Sequence, residues 1–290
     1  MKRMFSSKIV SSTGVFLRDL YKRTISDDLA GLASQLAYFF LLSLFPALVF
    51  FITMVGYLPI HTQDLLGFLE EYVPPDAMDL IRSNVNNVLN QQNGGLLSFG
   101  LLATLWSASN GINAIMMAFN RAYDIKETRP FYMTRALSIV LTISMIFIIV
   151  FALLLPVFGK VIGTIVFKTL GLPPDLWEKW KIFRLFLSFL VLFIVFSYLY
   201  KFAPNCRVHP KEVVSGALFA SIGWVLVSYL FAFYVDNYGN YSNTYGGLGG
   251  IIILMLWFYL TAWVILLGGE INALLNCYRT SGKDSRNKAD

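Results

Sequence analysis

The sequence predicts an all-α, polytopic membrane protein with six transmembrane helices and both termini in the cytoplasm. Three observations carry that expectation. Of the 290 residues, 57% are hydrophobic and only 14% are charged, with a mean hydropathy of +0.63; a soluble domain normally carries about 25% charged residues. The charges cluster between long uncharged runs, six of which approach the roughly 20 apolar residues that a span requires. Lysine and arginine are also divided unequally between the connecting segments, which sets orientation.

Taken in order, the N-terminal stretch MKRMFSSKIVSSTGVFLRDLYKR is basic but lacks a long apolar core, so it is not read as a cleaved signal. It is expected to form a juxtamembrane amphipathic helix with Ile9, Phe16 and Leu20 against lipid. The spans are expected near 32–57, 96–119, 136–159, 183–202, 213–235 and 247–275. Ser26 is the expected cap of the first, with Asp27 and Asp28 in its opening turn near the positive end of the helix dipole. Between spans one and two, the segment from Pro59 to Asn93 is too polar to cross. It reads as two short amphipathic helices separated by Pro74-Pro75, with Ala77, Ile81, Val85 and Val88 in a stripe on the second. The domain plan is an interfacial segment 1–30, a membrane domain 31–275 and a cytoplasmic tail 276–290.

With the N-terminus inside, 17 of the 23 lysines and arginines fall on the cytoplasmic side and 6 outside. This bias accounts for the net charge of +6, so no nucleic-acid partner is needed. Cys206 and Cys277 match no metal or disulfide spacing. The two histidines, His61 and His209, fall in loops on opposite sides of the membrane, with no paired carboxylates beside either. Metal-assisted phosphodiester cleavage needs converging His, Asp or Glu ligands, and the sequence encodes no such set. The expectation is a non-enzymatic protein without metal or cofactor.

Four blocks carry a family resemblance: LASQLAYFFLLSLFPALVFF, LWSASNGINAIMMAFNRAYDIKETRPFYMTRALS, LYKFAPNCRVHPKEVVSGALFASIGW and YSNTYGGLGGIIILMLWFYLTAWVILLGGEINALL. Together they resemble the YihY/virulence factor BrkB family over most of the chain from about Asp28 to Leu275. The last block is the most specific, with its tyrosine-glycine entry, aromatic-rich span and small-small-Glu-X-Asn exit. The resemblance implies a six-helix protein of the bacterial cytoplasmic membrane. Some members carry a ribonuclease BN label, and others are linked to serum resistance or envelope lipid export. It also makes Pro204-Asn205 a structural landmark.

Polar groups inside the spans are the candidate functional residues, because polar side chains at membrane depth seek protein or water. In span one, Gln35 and Tyr38 share a face with Leu42, Pro46 and Thr53. In span two, Ser107 and Asn110 share a face with Ala114, and Asn113 lies beside it. Helix packing and a substrate pathway both explain these residues. In span five, Gly216, Ala220 and Gly223 form a small-residue seam suited to packing. Span six carries Glu270 on a face with Tyr259, Trp263, Leu266 and Ala273. From Gly247 to Glu270 is about 34 Å of helix at 1.5 Å per residue, against a hydrocarbon core of roughly 30 Å. Glu270 is therefore expected at the cytoplasmic boundary, facing a cation such as Arg121, Arg129, Arg135 or Lys201, or bonded within the helix packing.

Three function classes follow: a transporter or flippase for a lipid or amphiphile, a cation- or proton-coupled solute transporter, and a non-transporting envelope scaffold. The first ranks highest. Membrane lipids are the expected partners, and a homo-oligomer is compatible with the pattern.

Overall fold

A computed structural model describes residues 13–55, 57, 94–147, 174–238 and 249–286. Among them every regular element is an α-helix and no strand occurs. The helices are α1 (Thr13–Ser26), α2 (Leu29–Val55), α3 (Gly94–Ala122), α4 (described over Phe131–Phe147), α5 (Pro174–Phe202), α6 (Pro210–Tyr238) and α7 (Gly249–Arg286). The expected helix pair between spans one and two, the second half of span three and the tyrosine-rich entry to span six lie outside the described residues.

Four described helices are long and apolar enough to cross a membrane, over Leu29–Phe51, Leu185–Phe202, Pro210–Val235 and Gly249–Thr280. They coincide with expected spans one, four, five and six. The second expected span differs: α3 has the length, at 29 residues, but Ser107, Ser109, Asn110 and Asn113 dilute its apolar character. α4 is apolar but short within the described residues. α7 continues as helix to Arg286, so the tail expected from 276 begins helically.

The start of the first span departs from expectation at its cap. Ser26 ends α1 and returns its hydroxyl to the Arg23 carbonyl at 3.2 Å. Asp28 caps α2 instead: its carboxylate accepts the Gly31 N–H at 3.2 Å, and its carbonyl accepts the Leu32 N–H at 3.0 Å. Asp28 has a φ of 54°, a region aspartate tolerates better than most residues. A β-carbon at Gly31 would displace the Asp28 carboxylate from this cap.

The chain divides into two compact units, one formed by Met1–Tyr38 with Gly111–Asp290 and the other by Phe39–Asn110. In the second unit α2 and α3 approach closely, since a β-carbon on Gly100 would lie 3.0 Å from the Phe50 nitrogen. Ser43, Thr53 and Thr104 there bond carbonyls of their own helices, at 2.8, 2.7 and 2.6 Å. That removes the cost of hydroxyls at membrane depth.

In the first unit α6 packs on both α5 and α7, and α1 packs on α7. Besides Leu29, Ala33, Leu36 and Ala37 at the start of α2 and Ser138, Leu141 and Thr142 on α4, the unit's buried residues gather along Ile112–Ala122, Val195–Ala203, Val213–Ser221 and Thr261–Leu274. These are the segments nearest the α3–α4 and α5–α6 loops and the C-terminal half of α7. The expected glycine seam is an α6–α7 contact: Gly216 lies against the Gly268 carbonyl, and a β-carbon on Gly223 would lie 2.9 Å from the Val264 side chain.

The orientation of α1 is turned by about 100° from the expected one. Phe16 packs on Tyr278, with ring centroids 6.4 Å apart, and Leu20 is half-buried. The accessible face instead carries Leu17, Tyr21 and Ile25. Ile9 lies outside the described residues. The reason is electrostatic: Asp19, Arg23 and Asp27, at i, i+4 and i+8, find partners in the protein, and that choice turns the apolar row outward.

Candidate functional site

The run Gly268-Gly269-Glu270-Ile271-Asn272 lies where α7 is surrounded, and each of four residues meets a different helix. At Gly268 the β-carbon space is taken by the Tyr200 hydroxyl of α5 and approached by the Gly216 carbonyl of α6. At Gly269 it is taken by the Phe119 ring of α3. Asn272 accepts the Gly216 N–H at 2.7 Å through its side-chain oxygen. The Tyr200 hydroxyl donates to the Ile265 carbonyl at 2.7 Å, and its ring lies 5.2 Å from that of Phe119. Two glycines therefore let three helices reach the backbone of α7 within one turn.

Glu270 points toward α1 and is 1% exposed. Its carboxylate lies 3.9 Å from Arg23 Nη1, an ion-pair distance rather than a hydrogen bond. The same Nη1 donates to the Ala122 carbonyl at 3.0 Å, satisfying an acceptor that the end of α3 leaves open. In return Arg121 donates to the Asp27 carbonyl at 2.9 Å. The end of α3 and the α1–α2 turn thus exchange two charge-assisted bonds. Asp19 completes the row by accepting the Tyr278 hydroxyl at 2.6 Å.

Arg23 was not among the cations that the sequence pointed to. Arg121 is engaged by Asp27 and Arg129 by Glu127, Lys201 lies 5.0 Å above the Phe202 ring, and Arg135 is half-buried on α4. The missed signal is the i, i+4 pair Asp19 and Arg23 on α1, followed by Asp27 in the turn before a span, which has to be answered by protein or water.

Beneath this cluster the two loops on the same side are knitted together. Glu127 receives Arg129 Nε and Nη2 at 2.7 and 2.8 Å and Asn120 Nδ2 at 2.8 Å. Bonding from Arg129 leads the causes that hold the Glu127 carboxyl at about 2, below its ordinary 4.5. Asn120 Oδ1 accepts the Asn205 N–H at 2.7 Å, and Asn205 Nδ2 donates to Thr128 at 2.9 Å. This explains Pro204-Asn205 as a landmark: Asn205 fastens the α5–α6 loop to the α3–α4 loop. Burial pushes the neighbouring Cys206 thiol up, away from thiolate chemistry.

The other candidates lie on accessible or half-buried faces. Gln35 is exposed and Tyr38 is 52% exposed, both on one face of α2. On α3, Ser107 is buried, while Asn110 and Asn113 share a face with exposed Trp106 and Met117. Asn113 Nδ2 lies 4.0 Å from the Met117 sulfur. Tyr259 is half-buried on α7, and burial deepens from it through Leu266 to Ala273. The sequence candidates therefore divide into an exposed pair on α2, a half-buried pair on α3 beside buried Ser107, half-buried Tyr259 and buried Glu270. Among the described residues no group of three or more His, Cys, Asp or Glu side chains is placed to hold a metal ion.

The chain is 52% identical over 261 residues to YfkH of Bacillus subtilis, whose name calls it ribonuclease-like, covering 90% of this chain and 95% of that protein. It is 28% identical to a UPF0761 membrane protein of Pseudoalteromonas translucida, covering 88% and 83% of the two chains. A UPF0761 membrane protein of Aeromonas salmonicida is likewise 28% identical, with 91% and 90% covered. No solved structure matches. The model of the virulence factor BrkB family matches residues 20–290, from α1 through the Glu270 cluster, and the chain belongs to that family of membrane proteins.

Proposed function

We propose that the protein moves a lipid or amphiphilic envelope component across the bacterial cytoplasmic membrane, as a transporter or flippase that crosses six times with both termini inside. The observation that carries this reading is the accessible face of α3. Its 29 residues are long enough to cross, at about 43 Å, yet they present Asn110 and Asn113 between Trp106 and Met117. Half-buried amides at membrane depth are unfavourable against acyl chains and favourable against a headgroup in passage. Gln35 and Tyr38 repeat the pattern on α2. The role is non-enzymatic in this reading: the stripes offer contacts to a polar headgroup, with no acid–base pair assigned to bond cleavage.

The test is purified protein in liposomes carrying headgroup-labelled lipids, with transbilayer movement read by dithionite bleaching. Movement above empty liposomes that falls in Asn113→Leu and Gln35→Leu, with thermal midpoints unchanged, supports the proposal. Wild-type rates equal to those of empty liposomes would leave the scaffold reading in its place. Incubation of the same preparation with RNA and divalent cations tests the activity in the Bacillus relative's name. A second reading, coupling to protons or cations, draws on the burial of Glu270 and predicts ion flux that Glu270→Gln abolishes.

A further inference from the structure

The outward row of α1 has a second feature: basic residues along one edge. Leu17, Tyr21 and Ile25 are 57%, 67% and 62% exposed, on the face opposite Asp19, Arg23 and Asp27. At 100° per residue, Arg18 and Lys22 follow along one flank of that row, and both are exposed. The two-residue turn at Asp27-Asp28 separates α1 from α2, whose spanning segment begins at Leu29. α1 therefore ends at the level where the chain enters the membrane. An apolar face with an adjacent basic edge at that level matches an acyl boundary roofed by anionic headgroups.

We propose that α1 is an anionic-lipid binding element lying in the inner-leaflet interface. Leu17, Tyr21 and Ile25 enter the acyl boundary while Arg18 and Lys22 pair with phosphate or phosphatidylglycerol-type headgroups. Its other face carries Arg23, the cation of the buried Glu270, and the Asp19 contact to Tyr278. Lipid binding on one side of the helix thus favours the ion pair on the other, because both require α1 in the same position. The inference rests on the spanning arrangement proposed above and not on transport.

The full-length protein in lipid nanodiscs tests it by spin-label accessibility, with nitroxides placed singly at Tyr21, Phe45 and Lys126. Phe45, exposed on α2, reports the span; Lys126, exposed in the α3–α4 loop, reports water. Tyr21 is expected to resemble Phe45, more accessible to oxygen than to an aqueous nickel chelate. Thermal midpoints are then compared in phosphatidylcholine discs with and without phosphatidylglycerol. The wild type is expected to shift upward with the anionic lipid, and R18E/K22E to lose that shift. A Tyr21 label as water-accessible as Lys126 beside a lipid-immersed Phe45 would overturn the inference alone. A water-accessible Phe45 would overturn the spanning arrangement and the inference together. Spin–spin coupling between Tyr21 labels would assign the face to a second copy of the chain, and an unchanged lipid shift in R18E/K22E would remove the headgroup contact.

Discussion

At residue scale, Glu270 and Arg23 form a buried pair of opposite charges. Replacing a single member of a buried pair costs about 3–5 kcal/mol, because the survivor keeps its desolvation penalty. Glu270→Gln and Arg23→Leu are each expected to lower the thermal midpoint strongly, while the Arg23→Leu/Glu270→Leu double variant should lose less than the sum of its singles. Additive losses in a double-mutant cycle would show that the two residues do not act on each other. The glycines beside them predict the opposite kind of damage. Gly268→Ala would drive a methyl group into the Tyr200 hydroxyl and the Gly216 carbonyl, and overpacking of this sort costs about 1–3 kcal/mol. Gly250→Ala, which meets nothing within 4 Å, serves as the neutral control in the same unfolding measurement. A basic residue facing Glu270 was one of the readings legible in the sequence. Its identity was not, because several arginines and lysines fall at that end and only packing decides which one reaches.

At the scale of elements, the helices with continuous apolar runs were legible, and the errors fell at a cap and a face. Ser26 and Asp28 are both competent caps by residue type; the choice was made by Ser26 remaining within α1 and Asp28 adopting a positive φ. Asp28→Ala should therefore cost about 1 kcal/mol in thermal or denaturant unfolding, whereas Ser26→Ala should be close to neutral. The face of α1 was misjudged because hydrophobicity alone favours either side, and the tie is broken by Tyr278, Ala122 and Glu270, residues remote in sequence. The loops between elements carry their own prediction. The Glu127 carboxyl is held below its ordinary range in the folded state, so its contribution is present above about pH 4.5. It is lost as the pH falls toward about 2. Proteolysis of the α3–α4 loop should rise through that window in the wild type, and Glu127→Gln should flatten the profile.

For the whole molecule, the charge bias makes the sharpest claim, since both ends and the two loops around Asn120 and Asn205 are assigned to one side. Single cysteines at Asn93 and Asn240, in a background lacking Cys206 and Cys277, should react with an impermeant thiol reagent in intact cells. A cysteine at Lys283 should react only after lysis. Labelling at Lys283 from outside would refute the arrangement with both ends inside. The sequence made the membrane class legible through composition. It could not show that the buried polar residues would concentrate at one end of the first unit, because that concentration arises from contacts among five helices.

The pairing of α1 with α7 also bears on biosynthesis. Asp19 and Tyr278 are 259 residues apart, and Arg23 and Glu270 are nearly as distant. Synthesis runs from the N-terminus, so Arg23 emerges long before its carboxylate exists. Until α7 inserts, that guanidinium lacks the Glu270 carboxylate and has the Ala122 carbonyl, water and headgroups as its acceptors. Closure of the ion pair thus waits for α7. Ribosome-released fragments ending before Glu270 should be cleared by membrane proteases faster than the full-length protein, and Arg23→Leu should lengthen the fragments' half-life in a pulse–chase measurement.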